Sequence, residues 1–520
     1  MLNLSLSDSG HFNQTALHNH THLVFATKPP SKNLNQPHSD SHATQLFRHG
    51  ERSPVSQRFT NAGLHPYWPY CSSAYRQTSP IITNISKTDS AADTTWSSLH
   101  WQRRLETFGP QNQPIIATGP NGEFDNICQP GELTDKGRAS TLALGQRLRT
   151  LYIQQLNFMP DKLSSSDAIY LRSTPRQRTL ESVQQVFCGL YPTANREPGI
   201  PPPTIVTRAP AEETLNPNEA NCRRFAQISK AFCRRTCERW NHSREMSYLT
   251  EKIGKWMPET SPRVQVDGKP RLIGIFDTIN ATLAHGPETR LPTEFYDPKL
   301  LKIIDMIGLE EWYSGYSESR EFRALGIGSL MGDIVKRMTQ SVERMKEVGR
   351  ENDSLGKGRD DEQGTKMSLS GCHDTTLAAV LCSLGAFEGE KWPPFTSHLA
   401  IELFRTKRKH SAELQIVPPK TSKVNDGKDG DEENRQSRWW SLFGQTKDLV
   451  SDGIPGSDGI GRKAIDELGS EEKQKLNGYL VRIRYNDKVM KVPGCKQDGK
   501  HLEGDDSFCT LVCPFIRLMK

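Results

Sequence analysis

The sequence predicts an α/β fold with a mainly helical subdomain inserted into it. Three observations carry that prediction. A strand, a turn and a helix follow one another three times along the chain, and the stretch between the second and third occurrence reads as helices separated by polar loops. No apolar run is long enough to span a bilayer. Composition agrees: 520 residues exceed what one small core needs. Hydrophobic content of 34% and a mean hydropathy of −0.65 are nevertheless low for a chain packed throughout. A folded core diluted by polar insertions is expected. The net charge of +6, with both signs interspersed, leaves no nucleic-acid footprint, so an anionic ligand would have to be held by a local cluster.

Residues 1–42 are rich in Ser, Asn, His and Thr and are expected to be a disordered N-terminal segment, with the folded domain covering 43–520. The first strand leads into RHG. Its approach, SDSHATQLF, offers only Ala43, Leu46 and Phe47 to bury, so this strand is expected to be frayed, or to be supplied in part by HLVFATK at His22–Lys28. Ser53–Gly131 is polar, with Trp68, Trp96 and Trp101, and reads as loops and short helices. GELTDKGRASTLALGQRLRTLY predicts a helix with Thr134 at its N-cap and Leu142, Leu144, Leu148 and Leu151 near one face. A strand at AIYLRS, a turn at Thr174-Pro175 and a helix from Gln177 follow. Residues 193–362 form the helical insertion, and KMSLSGCHDTTLAAVLCSLG then returns to strand, turn and helix. LAIELFRT and YLVRIRYNDKVMKV are expected to pair as a hairpin, interrupted by a charged, disordered insertion at 420–475.

Some signals lie outside this frame. Eleven scattered cysteines are not a disulfide scaffold, although Cys495 and Cys509 would close a loop in an oxidising compartment. Cys233 and Cys237 stand one helical turn apart, near Cys222 and His242. Their spacing matches no common zinc finger, so buried or bonded cysteines are the better reading. Trp439 and Trp440, in RWWSLFG, suggest a weak membrane-surface contact, against the plainer reading that the segment docks on its own protein. MLNLSLSDSGHFNQTALHNHTH has no basic start followed by an apolar run, which favours an intracellular protein.

The chemistry sits at the three turns. The first, LFRHGERSP, places His49 beside Arg48 and three residues before Arg52. The second follows Arg172, and the third offers His373 and Asp374. Each has an ordinary reading alone: a basic loop, a surface arginine, an interior histidine, an aspartate capping a helix. Together, three guanidiniums and two imidazoles at the carboxyl ends of strands suit a small phosphate ester, because arginine forks match phosphate oxygens and stay charged.

RHGERSP (Arg48–Pro54), LRSTPRQRTLES with Arg172, GCHDTTL with His373 and Asp374, and LTDKG (Leu133–Gly137) resemble the histidine acid phosphatase branch of the phosphoglycerate mutase-like superfamily. The resemblance runs from about Ala43 to the C-terminus and is nearest the lysophosphatidic acid phosphatase-like group. It implies a three-layer phosphoglycerate mutase-like core sheet. It also implies a metal-independent acid phosphomonoesterase without cofactor, acting on lysophosphatidate or another small phosphate monoester through a phosphohistidine. His49 would be the nucleophile; Arg48, Arg52 and Arg172 would hold the phosphoryl oxygens; His373 would add a donor. Asp374 would protonate the leaving group, Gly50 would let the backbone pass close to the phosphoryl group, and Glu51 would be structural. A mitochondrial location is also implied. Two alternatives stand beside this reading: a phosphomutase of the same superfamily, and a catalytically weak scaffold for phosphorylated lipids or inositol phosphates. The His-Asp pair favours the hydrolase, since it supplies an acid for the leaving group.

Overall fold

The computed structural model describes residues 40–84, 95–354, 364–387, 389–406 and 468–511. The expectations for residues 1–39, including HLVFATK, and for Trp439 and Trp440 lie outside them. Strand β1 (Asp40–Arg48) is followed by two hairpins, β2 (Gln77–Asn84) with β3 (Thr95–Trp101) and β4 (Glu106–Phe108) with β5 (Pro114–Ile116). Then come α1 (Asp135–Arg149), β6 (Ile169–Ser173), α2 (Gln177–Leu190) and β7 (Ile205–Val206). The helical stretch contains α3 (Arg223–Trp240), α4 (Arg244–Ile253), α5 (Leu272–Ala284), α6 (Pro298–Glu318), α7 (Arg320–Gly326) and α8 (Gly328–Ser354). β8 (Met367–Cys372), α9 (Asp374–Ser383) and β9 (His398–Arg405) return to the core. A short helix (Ser470–Leu476) and β10 (Tyr479–Tyr485), β11 (Lys488–Met490), β12 (His501–Leu502) and β13 (Asp505–Thr510) close the described chain.

The main sheet has the order β12-β13-β10-β9-β1-β8-β6-β7, with β11 on β10. β1, β8, β6 and β7 run parallel, and β9, β10, β13 and β12 form an antiparallel wing. LAIELFRT and YLVRIRY pair as expected. Alternation along β1 sends Ala43 and Phe47 to one face, against α1 and α2, and Leu46 to the other, into a second core shared with the helical subdomain. The sheet is thus the middle of three layers.

β1 is not frayed. It is the central strand, buried from His42 onwards and paired on both sides. His42 and the Gln45 amide nitrogen meet partners, while Thr44 Oγ1 and Gln45 Oε1 are buried without one. His42 reaches the Thr365 carbonyl through Nδ1 (3.2 Å) and Ser368 through Nε2 (3.2 Å). Gln45 donates to the Tyr152 hydroxyl, which donates to Glu402, itself held by Arg482 and Arg484. A buried polar group with its hydrogen bonds made carries little penalty.

Other boundaries also move. The 420–475 insertion ends too late: Leu468 and Leu476 are buried, and Ser470–Leu476 is helical, so only 420–467 lies outside the described residues. The polar stretch after Ser53 contains strands as well as short helices, with Trp96 and Trp101 on β3. Thr134 caps α1, its hydroxyl accepting from the Gly137 N–H. Cys71–Cys128 and Cys495–Cys509 are bonded. Cys222, Cys233 and Cys237 are unbonded, and among the described residues no His, Cys, Asp and Glu cluster could hold a metal ion. No helix of the described residues is long and apolar enough to cross a membrane.

Candidate active site

Parallel pairing brings the three turns together. Arg48 is in register with Cys372, and Ser173 with Gly371, so β1, β8 and β6 end side by side. The His49 N–H donates to the Cys372 carbonyl (3.2 Å), and the rings of His49 and His373 stand 5.5 Å apart, edge to face. The turn is locked from below by Gly50, whose N–H donates to Ser182. A Cβ on Gly50 would lie 2.3 Å from the Gly137 carbonyl. The glycine is therefore needed for the RHG turn to sit on the LTDKG turn. Glu51 has the structural role expected, its carboxylate accepting from Ser140.

His49 is buried, and its Nδ1 lies 2.8 Å from the Gly50 carbonyl. A carbonyl only accepts, so Nδ1 carries the hydrogen and Nε2 keeps its lone pair. Burial, then the fields of Arg52, Arg178, Arg48 and His373, hold the ring well below the usual histidine range. The ring is held neutral, with Nε2 open. His373, the N-cap of α9, is pushed down to about 3 by burial and the arginines, chiefly Arg178, against the opposing pull of Asp374. Its Nε2 meets the Thr174 hydroxyl at 3.2 Å.

Asp374 begins α9. Its carboxylate accepts from Arg48 (2.9 Å), from the Trp392 indole N–H (2.9 Å) and from the Thr375 N–H (2.8 Å). Burial opposes its charge, but Arg48, Trp392 and His373 carry the carboxyl below its ordinary range. Arg48 also donates to the Pro393 carbonyl and lies over the Phe395 ring. Arg52 is bound to Asp277 of α5 at 2.6 Å.

Arg172 is not at this site. It is fully buried on β6, where Glu213 (2.6 Å), Asp333 (3.2 Å) and Thr214 (2.9 Å) take its guanidinium. These three partners hold both terminal nitrogens of a guanidinium with no exposed surface, and only its Nε lacks a partner. Arg178, six residues on, occupies the place expected of it. The chain turns at the end of β6 and the first turn of α2 carries Arg178 back over the strand ends, where its charge acts on both His49 and His373. No hydrogen bond or ion pair occupies the Arg178 guanidinium among the described residues, and its buried Nε has no partner. Burial and crowding by Arg52 lower its pKa to about 10. Three arginines thus face two carboxylates, a surplus cation that suits an anion, at the N-termini of α2 and α9.

Arg178 was within reach of sequence reasoning, since it sits in LRSTPRQRTLES one residue into the helix that opens at the strand end. Asp277, Trp392 and Phe395 were not, because nothing in their local sequence ties them to distant turns. Beside Thr375 opens a cavity of about 600 Å³, lined by Phe225, Trp312, Tyr313, Tyr316 and Phe322. Its charged residues are two of each sign, Lys230 and Arg271 against Glu219 and Glu311. The Tyr313 and Tyr316 hydroxyls are buried without partners. Tyr313 also packs on Trp392, the donor to Asp374.

The chain is similar to several known proteins. The family profile of the histidine phosphatase superfamily (branch 2) matches residues 41–417. A probable acid phosphatase of Schizosaccharomyces pombe is 33% identical over 466 residues, which cover 90% of this chain and 88% of that protein. Lysophosphatidic acid phosphatase type 6 of Pongo abelii is 25% identical over 59% of this chain and 68% of its own length. Among solved structures, the apo phytase of Hafnia alvei matches with a TM-score of 0.48 and 11% identity, covering 94% of this chain and 97% of the phytase.

Proposed function

This chain belongs to the histidine phosphatase superfamily, branch 2, as a phosphoric monoester hydrolase of the acid phosphatase type, and we propose that it works through a phosphohistidine on His49. The observation that carries the proposal is the His49 ring, held neutral with Nε2 free and faced by three arginines. The phosphoryl oxygens lie on Arg48, Arg52 and Arg178, with His373 as a further donor. Charge spreads over these oxygens in the transition state, where fixed guanidiniums act most strongly. To receive the phosphate, Arg52 must exchange Asp277 for a phosphoryl oxygen.

Nε2 attacks phosphorus as the ester P–O bond breaks, and Asp374 gives its proton to the departing alkoxide. Asp374 is ionised in the empty site, so that proton arrives with the substrate. A monoanionic phosphate hands it over once the arginines have turned to the phosphoryl group. In the second half, water attacks phosphorus as the P–N bond breaks, Asp374 takes the water's proton, and His49 leaves as neutral imidazole. The arginines supply the charge neutralisation that a metal supplies in other phosphatases.

The cavity beside Thr375 supports a substrate class. It opens beside Thr375, the neighbour of Asp374, five of its fourteen lining residues are aromatic, and its charges balance. A polyanion such as an inositol polyphosphate would need a surplus of cations there. An ester with one phosphate and an apolar alcohol, such as lysophosphatidate, fits better. Purified protein assayed on lysophosphatidate, phytate and p-nitrophenyl phosphate tests both parts. We expect turnover unchanged by EDTA and kcat/KM higher for lysophosphatidate than for phytate. Loss of activity in EDTA, restored by magnesium or zinc, overturns the metal-free mechanism, and preference for phytate overturns the substrate class.

A further inference from the structure

Strand β3 forms one side of a two-stranded ribbon that the rest of the described chain leaves uncovered. All seven of its residues are exposed, Trp96 by 61%, Leu99 by 49% and Trp101 by 42%. The β2–β3 register puts Trp96 and Ile82 on one face and Leu99, Trp101 and Ile81 on the other. An isolated hairpin is marginally stable in water, and this one shows apolar side chains on both faces.

The ribbon's two free edges are unlike. β2 has Pro80 in its middle, which removes a donor and guards that edge against pairing. β3 (TWSSLHW) has no proline and no charged residue. Among the described residues its backbone pairs with β2 alone, so one whole row of N–H and C=O groups is open.

We propose that β3 pairs antiparallel with β3 of a second copy of this chain, about a two-fold axis through Ser98, making one four-stranded sheet from two ribbons. The sequence is self-complementary in that register. Trp96 meets His100 of the second copy, Ser97 meets Leu99, and the two Leu99 side chains become diagonal neighbours. Neither strand of the ribbon carries Asp, Glu, Lys or Arg, so the axis brings no like charges together. An anionic membrane or an acidic partner would be met by lysines or arginines, which the strands lack. One strand edge and a few large side chains bury an area at the low end for a specific interface, below about 1,200 Å² in total. The dimer is therefore concentration-dependent. The candidate active site lies within one copy and does not depend on it.

Sedimentation of the full chain over a range of concentrations tests the pairing, with two variants at Ser98. Ser98→Lys sets two ammonium groups face to face on the axis. It is expected to be monomeric with unchanged kcat/KM on p-nitrophenyl phosphate. Ser98→Cys, with the exposed Cys188 replaced by serine, places two thiols across the axis. Paired antiparallel residues stand about 4.5–5.5 Å apart at Cα, within disulfide reach. Mild oxidation should give a covalent dimer that Cys188→Ser alone does not give. A wild-type chain that stays monomeric at every concentration overturns the proposal. So does a dimer that survives Ser98→Lys while the Ser98→Cys variant forms no cross-link, and so does a monomer that co-sediments with vesicles through Trp96.

Discussion

Four residues around His49, His373 and Asp374 set what these side chains can do. The Gly50 carbonyl fixes the His49 tautomer, Arg178 adds an unengaged positive charge, Asp277 occupies Arg52, and Trp392 holds the Asp374 carboxylate. The contrast between two arginines gives the first prediction. Arg178→Ala should leave a folded protein whose kcat/KM is lower by about 10²–10³-fold, the usual effect of removing one transition-state donor. Arg172→Ala should instead lower thermal stability, because Glu213 is left buried without its partner, a loss of ~3–5 kcal/mol. Thermal melts and kinetics on both variants separate the roles; the reverse pattern would return Arg172 to the phosphate. Asp374→Asn should slow alkyl phosphates by about 10²–10⁴-fold and p-nitrophenyl phosphate much less, since that phenolate leaves without a proton. Equal slowing of both would remove Asp374 from the acid's role. At this scale RHGERSP and GCHDTTL were legible because their residue types at fixed spacing have few other uses. Arg172 misled because it ends a strand, and only the side-chain direction along β6 shows that it points to Glu213.

Among the elements, β1 shows how tertiary context overrides local pattern. Its polar residues argued for fraying, but a central strand accepts His42 and Gln45 when Ser368, Thr365 and Tyr152 stand ready as partners. No window of sequence around Asp40 contains those partners. The strand, turn and helix repeats were legible because each ends in an unmistakable helix: Thr134 caps α1, and α2 starts at Gln177 as expected. The hairpin from β9 to β10 was legible too, through two apolar runs that flank a charged insertion. That insertion's end was not, because the helix Ser470–Leu476 is charged on its surface and buries little beyond Leu476. Deleting 420–467 and joining the ends with a short turn should therefore leave kcat on a soluble ester nearly unchanged. Extending the deletion to Lys475 should lower stability by removing Leu468 from the core. Melting curves and activity on the two deletions check this; equal stability of both would make the short helix dispensable.

The whole molecule couples its site to acid through buried histidines. Burial takes His42 down to about 4 and His373 to about 3. The unfolded chain binds these protons near pH 6.5 while the folded chain refuses them. The contribution of these histidines is thus complete above about pH 6.5 and is lost as pH falls toward 4, by ~3 kcal/mol for His42 alone. Tm should fall between pH 7 and pH 4.5, and inorganic phosphate should raise it at both. A Tm that rises on acidification would mean the histidines are charged in the folded chain. The same neutrality is what the proposed attack by His49 requires in acid, and it underlies the central claim. That claim is tested most directly by rapid acid-free quench of the enzyme during turnover of a ³²P-labelled ester, followed by peptide mapping. The account predicts base-stable, acid-labile label on the peptide carrying His49, absent from His49→Ala. Label on a serine, cysteine or aspartate, or turnover that survives His49→Ala, would contradict it.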